Sequence, residues 1–290
     1  MKVITAVVNN PIFIEIQYHT LKKYFEGEYE FIVFNDAKDF PDFTNGNDVS
    51  IKSKIENMCS SLNIQCINIP NGQHQFNTCP AHRCADSMNY ILQYQIEHPD
   101  EYLLLDSDMF LIDFFNPFKF SEYDCAIVLQ TRNNNKIHYF WNGIYYFNMH
   151  KMKNIKYLDW NCCLGCDVGG MMQLWLAKQL NGNFPNTDEI RLNNKQFTSN
   201  NIYFIKHLCS RTWNINEVPD NLKNHKKLLN FLIRDIRNED GKFFCEIYDN
   251  VFLHYRAGGN WMREGMDIHN TLTKMLKEAL LNTDAIQLFH

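Results

Sequence analysis

The residues best suited to chemistry are two carboxylates two positions apart, Asp106 and Asp108, at the end of the apolar run Tyr102-Leu103-Leu104-Leu105. Hard carboxylate oxygens clustered in this way suit magnesium or manganese, and such an ion keeps coordination positions open for phosphate oxygens. Without a cation the two charges repel each other, which is itself an argument for one. An Asp-x-Asp alone arises by chance in any acidic turn. Here the apolar run before it and Met109-Phe110-Leu111-Ile112 after it set the pair where a buried strand leaves the core.

Three weaker groups accompany that pair. Cys162-Cys163-x-x-Cys166 holds zinc only if a fourth ligand arrives from elsewhere, such as Cys209 or Cys245. The ten cysteines are scattered and the chain is too large to need stapling, so reduced thiols are expected. Gly165-Cys166-Asp167-Val168-Gly169-Gly170 precedes a helical run. Asp167 suits an N-cap there, and the glycines leave room for close approach of a ligand. The flat ring of Trp141 suits the C–H face of a sugar, whereas core packing alone explains Tyr145 and Phe147.

These residues need elements to carry them. Strands are predicted over 2–8, 30–34, 65–69 and 102–105, and helices over 12–25, 49–62 and 80–97. Such alternation predicts an α/β fold, a mostly parallel sheet with helices on both faces. Ligands of such sheets sit beyond the carboxyl ends of the strands, where Asn9-Asn10, Asn35-Asp36 and Asp106–Asp108 all fall. In the second half, 123–129, 144–147 and 251–255 read as strands, 188–192 as a strand edge, and 169–180 and 270–281 as helices. Residues 221–238 read as a basic surface helix with Leu228, Leu229, Leu232 and Ile236 as its apolar stripe.

Composition limits the partners. Against 33 acidic residues stand 28 basic ones, a net charge of -5, so a nucleic-acid backbone is not an expected partner. The N-terminal apolar run is short and ends in a turn, and no stretch approaches the roughly 18 apolar residues of a membrane span. A cytoplasmic protein with no integral membrane segment is expected.

With these pieces in place, the chain resembles the GT-A glycosyltransferases, in which an Asp-x-Asp after a central strand binds the metal–diphosphate of a nucleotide sugar. The resemblance runs in ordered pieces from Val3 to Trp261. The first strand with Val8-Asn9-Asn10-Pro11, then Phe31-Ile32-Val33-Phe34-Asn35-Asp36, looks like that family's nucleotide pocket. It implies donor contacts from Val8, Asn9 and Asp36, and from Ser107 within the acidic motif. Arg83 lies off the apolar face of Cys84 and Met88, so the resemblance implies that it reaches the donor, the other reading being an ion pair with Asp86. Trp141-Asn142-Gly143 resembles the sugar-lining Asn-Ala-Gly strand of the glycogenin-like family, with the glycine one position early and the alanine missing. Phe252-Leu253-His254-Tyr255-Arg256-Ala257-Gly258-Gly259-Asn260-Trp261 looks like the family's metal-histidine segment. That implies His254 as third ligand to Asp106 and Asp108, with Arg256, Gly258 and Gly259 over the diphosphate. Asn260 and Trp261 then join Trp141, Asn142 and Gly143 on the sugar and acceptor side, with Asp167 as the catalytic residue.

The resemblance further implies a single catalytic domain over 1–290: a nucleotide-binding half (about 1–112), an acceptor and metal-histidine half (about 113–265) with a smaller acceptor-side sheet, and a C-terminal helix (about 266–290). The ligands it implies are Mn2+ or Mg2+, a UDP-sugar or other nucleotide-sugar donor, and a glycan or glycoconjugate acceptor. Two rivals remain. A haloacid-dehalogenase-type phosphotransferase also uses Asp-x-Asp after an apolar strand, but expects Thr or Val where Phe110 stands. A non-catalytic nucleotide-sugar-binding module would not require Asp106, Asp108, Asp167 and His254 together.

Overall fold

The computed structural model describes residues 1–163, 165–192, 197–199 and 201–281. In the first half it places strands β1 (Lys2–Val7), β2 (Glu30–Asn35), β3 (Gln65–Asn68) and β4 (Glu101–Leu105), with helices α1 (Pro11–Tyr24), α2 (Ile51–Ser61) and α3 (Pro80–Glu97) between them. Asn10 starts α1 by accepting the Ile12 N–H on its side chain, and Pro11 takes the first helical position, where an N–H would have had no helical partner. Lys22 and Lys23 close the helix against the negative end of its dipole.

The second half adds β5 (Met109–Leu111), β6 (Cys125–Arg132), β7 (Ile137–Asn148), β8 (Phe197–Ser199), β9 (Ile202–Phe204), β10 (His207–Leu208), β11 (Glu246–Tyr248) and β12 (Phe252–His254). Among the described residues the strands form two sheets. The larger has the order β3-β2-β1-β4-β7-β6-β9-β8, and the smaller has the order β10-β11-β12-β5. β3, β2, β1 and β4 run parallel, as does β9 beside β6, while the smaller sheet is antiparallel throughout. The expected α/β class with a second, smaller sheet is therefore what forms.

Alternation along the strands sorts the core. Val3, Val7, Val33 and Leu103 face α1 and α2, while Ile4, Ile32, Phe34 and Leu104 face α3. A third cluster joins Phe13 and Ile16 of α1 to Phe110, Leu253 and Tyr255, and to the helices Lys226–Arg234 and Met266–Leu281. Each such side chain withdrawn from water contributes about 1.5–3 kcal/mol. The larger sheet is thus covered on both faces, and the smaller one is wedged against α1.

Several elements differ from the sequence reading. Residues 188–192 belong to the helix Thr187–Leu192 and not to a strand edge, with Asp188 and Glu189 in the first turn, where the dipole favours acids. Of 221–238 only Lys226–Arg234 is α-helical; the chain then turns extended at Asp235, which pairs with Arg237 in the interior and leaves Ile236 exposed. The 169–180 run splits into a 3-10 turn, Gly170–Met172, and the helix Gln173–Gln179. Residues 123–129 and 144–147 prove to be parts of one long hairpin, turned by three left-handed asparagines, Asn133, Asn134 and Asn135. Of the expected C-terminal region, 282–290 lie outside the described residues.

Candidate active site

The Asp106–Asp108 turn is the joint between the two sheets, since β4 of the larger sheet leads directly into β5 of the smaller. Its backbone is held from both sides. The Asp106 N–H donates to the Gly143 carbonyl at 2.6 Å, and Met109 N–H closes the turn on the Asp106 carbonyl at 3.0 Å. From α1, the fully buried Gln17 amide donates to the carbonyls of Asp106 (2.7 Å) and Met109 (3.0 Å).

Register then delivers the third group. In the β12–β5 pairing His254 lies opposite Met109, one residue past Asp108. Its Nε2 stands 3.1 Å from Asp108 Oδ1 and 4.0 Å from Asp106 Oδ2. One ligand atom from each of Asp106, Asp108 and His254 lies within 4.8 Å of the others, the only such grouping of His, Cys, Asp or Glu among the described residues. Two hard oxygens and one imidazole nitrogen fit a divalent cation, and the nitrogen favours manganese over magnesium. Cys162, Cys163 and Cys166 form no disulfide, and neither do the other seven cysteines.

The imidazole has a carboxylate on each side. His254 Nδ1 lies 2.9 Å from Glu246 Oε2, because β11 and β12 pair Glu246 directly with His254. Burial opposes a charge on this ring, but Asp108 and Glu246 outweigh it and raise His254 to about 10. Burial would raise Glu246 too, yet its hydrogen bond to His254 and the ring's charge bring it to about 2. Asp108 likewise falls below its ordinary value: burial works against this, but the His254 charge and hydrogen bond and the Gly258 N–H (2.7 Å) prevail. Asp106, with 37% of its side chain exposed, rises to about 7, through burial first and the Asp108 charge second.

After His254 the chain folds back over the pair. Arg256 and Ala257 both take left-handed φ, at 66° and 60°, which is costly for residues with a Cβ. Arg237 holds them there: buried and paired with Asp235, it donates to the carbonyls of Tyr255 (3.1 Å) and Arg256 (2.8 Å). The Gly258 N–H thus reaches Asp108, and Asn9 donates to the Gly259 carbonyl at 3.0 Å. A Cβ on Gly259 would lie 3.2 Å from Val8. Val8, Asn9, Asp108, Gly258 and Gly259 are therefore brought together. The Arg256 guanidinium, 40% exposed, bonds Ser210 Oγ at 3.0 Å.

Asp36, expected as a donor contact, is engaged by residues that the sequence reading did not single out. Lys38, fully buried, puts its Nζ 2.7 Å from Asp36 Oδ1, and Asn71 donates to the same oxygen at 2.9 Å. Arg83 is neither free toward the cleft nor paired with Asp86. It is buried, forms a forked pair with Asp42 (2.8 and 3.0 Å), and donates to the carbonyls of His74 and Asn77. Asp86 instead faces His74. Two loops cover the helix face that periodicity had left open.

The sugar-side residues separate. Trp141 and Asn142 are neighbours on β7 and so point to opposite faces. The Trp141 indole folds over Gly143, where a Cβ would clash at 2.1 Å, stacks on Tyr248 at 5.2 Å, and lies 5.1 Å from the His254 ring. Asn142 turns to Cys84 Sγ at 3.5 Å. Burial raises the Cys84 thiol, and the charges of Asp106, Asp36 and Asp167 add to this. Asp167 is exposed and binds the N–H of Val168; it caps no helix, because Gly169, at φ 87°, turns the chain before the 3-10 turn begins. Asn260 is exposed, whereas Trp261 is buried in the core against Gly46, so its ring has no open face. Ser107 is buried, its N–H on Asp106 Oδ1 at 2.8 Å.

Glu246, Gln17, Lys38 and Cys84 had escaped notice as site residues. Only Glu246 left a trace in the sequence: the turn residues Asp249-Asn250 between Glu246-Ile247-Tyr248 and Phe252-Leu253-His254 mark a hairpin that pairs the glutamate with the histidine.

No protein-family model matches the chain, and no curated protein matches it. Among solved structures it is similar to the galactosyltransferase LgtC in complex with donor and acceptor sugar analogs, at 14% identity and a TM-score of 0.35, over 52% of this chain and 59% of that one. An active-site mutant of LgtC gives 13% and 0.35, over 54% and 61%. The bifunctional glycosyltransferase WbbM in its apo form gives 12% and 0.31, over 51% and 31%. The chain thus spans about three-fifths of the LgtC structures and a third of WbbM. No described helix is long and apolar enough to cross a membrane.

Proposed function

We propose that the chain is a metal-dependent glycosyltransferase, moving a sugar from a nucleotide-sugar donor, with UDP-sugars first in line, to a hydroxyl of a glycan or other acceptor. The observation that carries this reading is the convergence of Asp106, Asp108 and His254 at the carboxyl end of β4. A phosphate-bearing ligand is expected at that rim of a parallel sheet. The chain has a net charge of -5, and a bound cation would supply positive charge at that rim.

Asp106, Asp108 and His254 would hold Mn2+ or Mg2+, which neutralises the charge developing on a diphosphate leaving group. The chain's own residues do the rest. The Gly258 N–H fixes the Asp108 carboxylate, and Glu246 fixes the ring of His254. Asp106, the most exposed of the three, faces the incoming phosphate. Arg256 sits at the edge of the same loop, half exposed, suited to a phosphate oxygen. Asp167, exposed to solvent, is the carboxylate assigned to the acceptor, as general base if the reaction inverts. Trp141, fixed by Tyr248 and Gly143, offers an apolar surface beside the cation.

The test is Mn2+-dependent hydrolysis or transfer over a panel of nucleotide sugars, comparing the unmodified chain with Asp108→Asn. A rate at least 100-fold lower in the variant is expected; an unchanged rate removes the reading. Manganese-dependent UDP binding without turnover of any donor would favour a binding module.

A further inference from the structure

We infer that Glu246 is a positioning residue for the cation site: it accepts the Nδ1–H of His254 and so holds the imidazole with its Nε2 lone pair toward Asp106 and Asp108. This rests on the site reading above and extends it to a residue outside the ligand set.

A neutral imidazole has one donor nitrogen and one acceptor nitrogen, and its neighbours decide which is which. A carboxylate only accepts. With Glu246 Oε2 at 2.9 Å, the proton kept on ligation belongs on Nδ1, and Nε2, 3.1 Å from Asp108 Oδ1, is the nitrogen that would give its proton up to a cation. The opposite tautomer would set a lone pair against an anion and an N–H against a cation.

The carboxylate is itself fixed. Glu246 has 13% of its side chain exposed. Its Oε2 also accepts from the Tyr248 hydroxyl at 2.8 Å, and its Oε1 from the Ser210 N–H at 3.1 Å. Tyr248 stands on the same face of β11, two residues on, and its ring backs Trp141, which in turn borders His254. The hairpin register thus sets Glu246, Tyr248 and His254 on one surface. A carboxylate behind a metal-binding histidine orients the ring and raises its basicity, and its loss costs about 10–100-fold in metal affinity.

Co2+ is the probe, since its visible absorption reports the ligands of the bound ion directly. The full chain, Glu246→Leu, Glu246→Gln and His254→Ala are each saturated with Co2+, and the remote core variant Ile91→Ala serves as a control for lowered stability. Glu246→Leu is expected to move the absorption bands toward those of His254→Ala and to weaken Co2+ binding about 10–100-fold, with Glu246→Gln intermediate and Ile91→Ala unchanged. If the leucine variant does not fold, the isosteric glutamine variant decides in the same way. Spectra and affinities of the Glu246 variants equal to the unmodified chain, with His254→Ala altered, would overturn the role of Glu246 and leave the cation site standing. A His254→Ala protein that also binds Co2+ unchanged would remove the site itself.

Discussion

Gly258 is where the return loop touches the acidic pair, and its replacement by alanine tests how tightly that contact is built. Its φ lies outside the left-handed region, so alanine meets no backbone penalty, and the effect must come from packing. The new Cβ would stand 2.5 Å from Phe13 Cε2, 2.8 Å from Phe13 Cζ and 2.9 Å from Asp108 Cβ. Phe13 cannot retreat: it is 1% exposed and is packed by the rings of Phe110 and Tyr255, each 5.6 Å away. The loop must lift instead, which breaks the 2.7 Å bond from its N–H to Asp108. Over-packing costs about 1–3 kcal/mol, and a hydrogen bond to a charged group about 1.5–3 kcal/mol. The two are not independent, so a loss of about 2–5 kcal/mol in urea unfolding is expected. With Asp108 released, Mn2+ affinity measured by calorimetry should fall about tenfold or more. Gly259→Ala is the matched control. Its Cβ would approach only Val8 Cγ1 closely, at 3.2 Å, and the entropic gain of about 0.4–1 kcal/mol from replacing glycine offsets that contact. If Gly258→Ala unfolds at the same urea concentration as the unmodified chain and binds Mn2+ equally well, the contact between loop and acidic pair is not as drawn.

Other consequences follow from the same charges and contacts. Ligation by His254 requires loss of a proton held to about 10, so Mn2+ affinity should climb about tenfold per pH unit between 7 and 8, and more steeply below the Asp106 value of about 7. A flat profile would exclude His254 as a ligand. Asp106 is a carboxyl with a raised pKa, so the metal-free protein loses its share of stability as pH rises from the ordinary value of 3.8 through 7. Mn2+ relieves that repulsion and should raise the melting temperature more at pH 8 than at pH 6, as differential scanning calorimetry would show. Arg83→Met leaves Asp42 buried and uncompensated and should cost about 3–5 kcal/mol in urea unfolding, with part recovered in the double variant Asp42→Asn, Arg83→Met. A loss below about 1 kcal/mol would mean that Arg83 is not the pin it is taken to be.

What could be read from the sequence depended on the range of the interaction. The Asp-x-Asp declared itself because the signal is local: an apolar strand, two acids and another apolar strand in succession. The helix after the first strand was legible for the same reason, although it starts at Pro11 and not at residue 12. Arg83 was misjudged because helical periodicity assigns faces to a helix but not the loops that will cover them; here the segments bearing Asp42 and His74 close over α3. Asp167 was read as a cap because an acid before a helical run usually is one. The conformation of Gly169 moves the helix start past it, and a Cβ there would meet the Phe140 carbonyl at 2.6 Å, so the turn is fixed by packing against β7. Trp261 shows the same limit. The family resemblance implied a place for Trp261 on the sugar side, but its ring is buried in the core.

The geometry of the two sheets explains why a cation site should form at this point in the fold. The chain leaves the larger sheet at Leu105 and enters the smaller at Met109, so Asp106–Asp108 must turn within three residues. Those residues are anchored to the larger sheet through Gly143, to α1 through Gln17 and to the smaller sheet through the Tyr255 N–H on the Asp108 carbonyl at 2.9 Å. The carboxylates of that turn meet the His254 ring, which pairing with Met109 brings alongside them. Two carboxylates there, without a cation, need the imidazolium to balance them, and the imidazolium needs Glu246 to stay charged in a buried place. A divalent ion would take the place of that proton among ligand atoms that lie within 4.8 Å of one another.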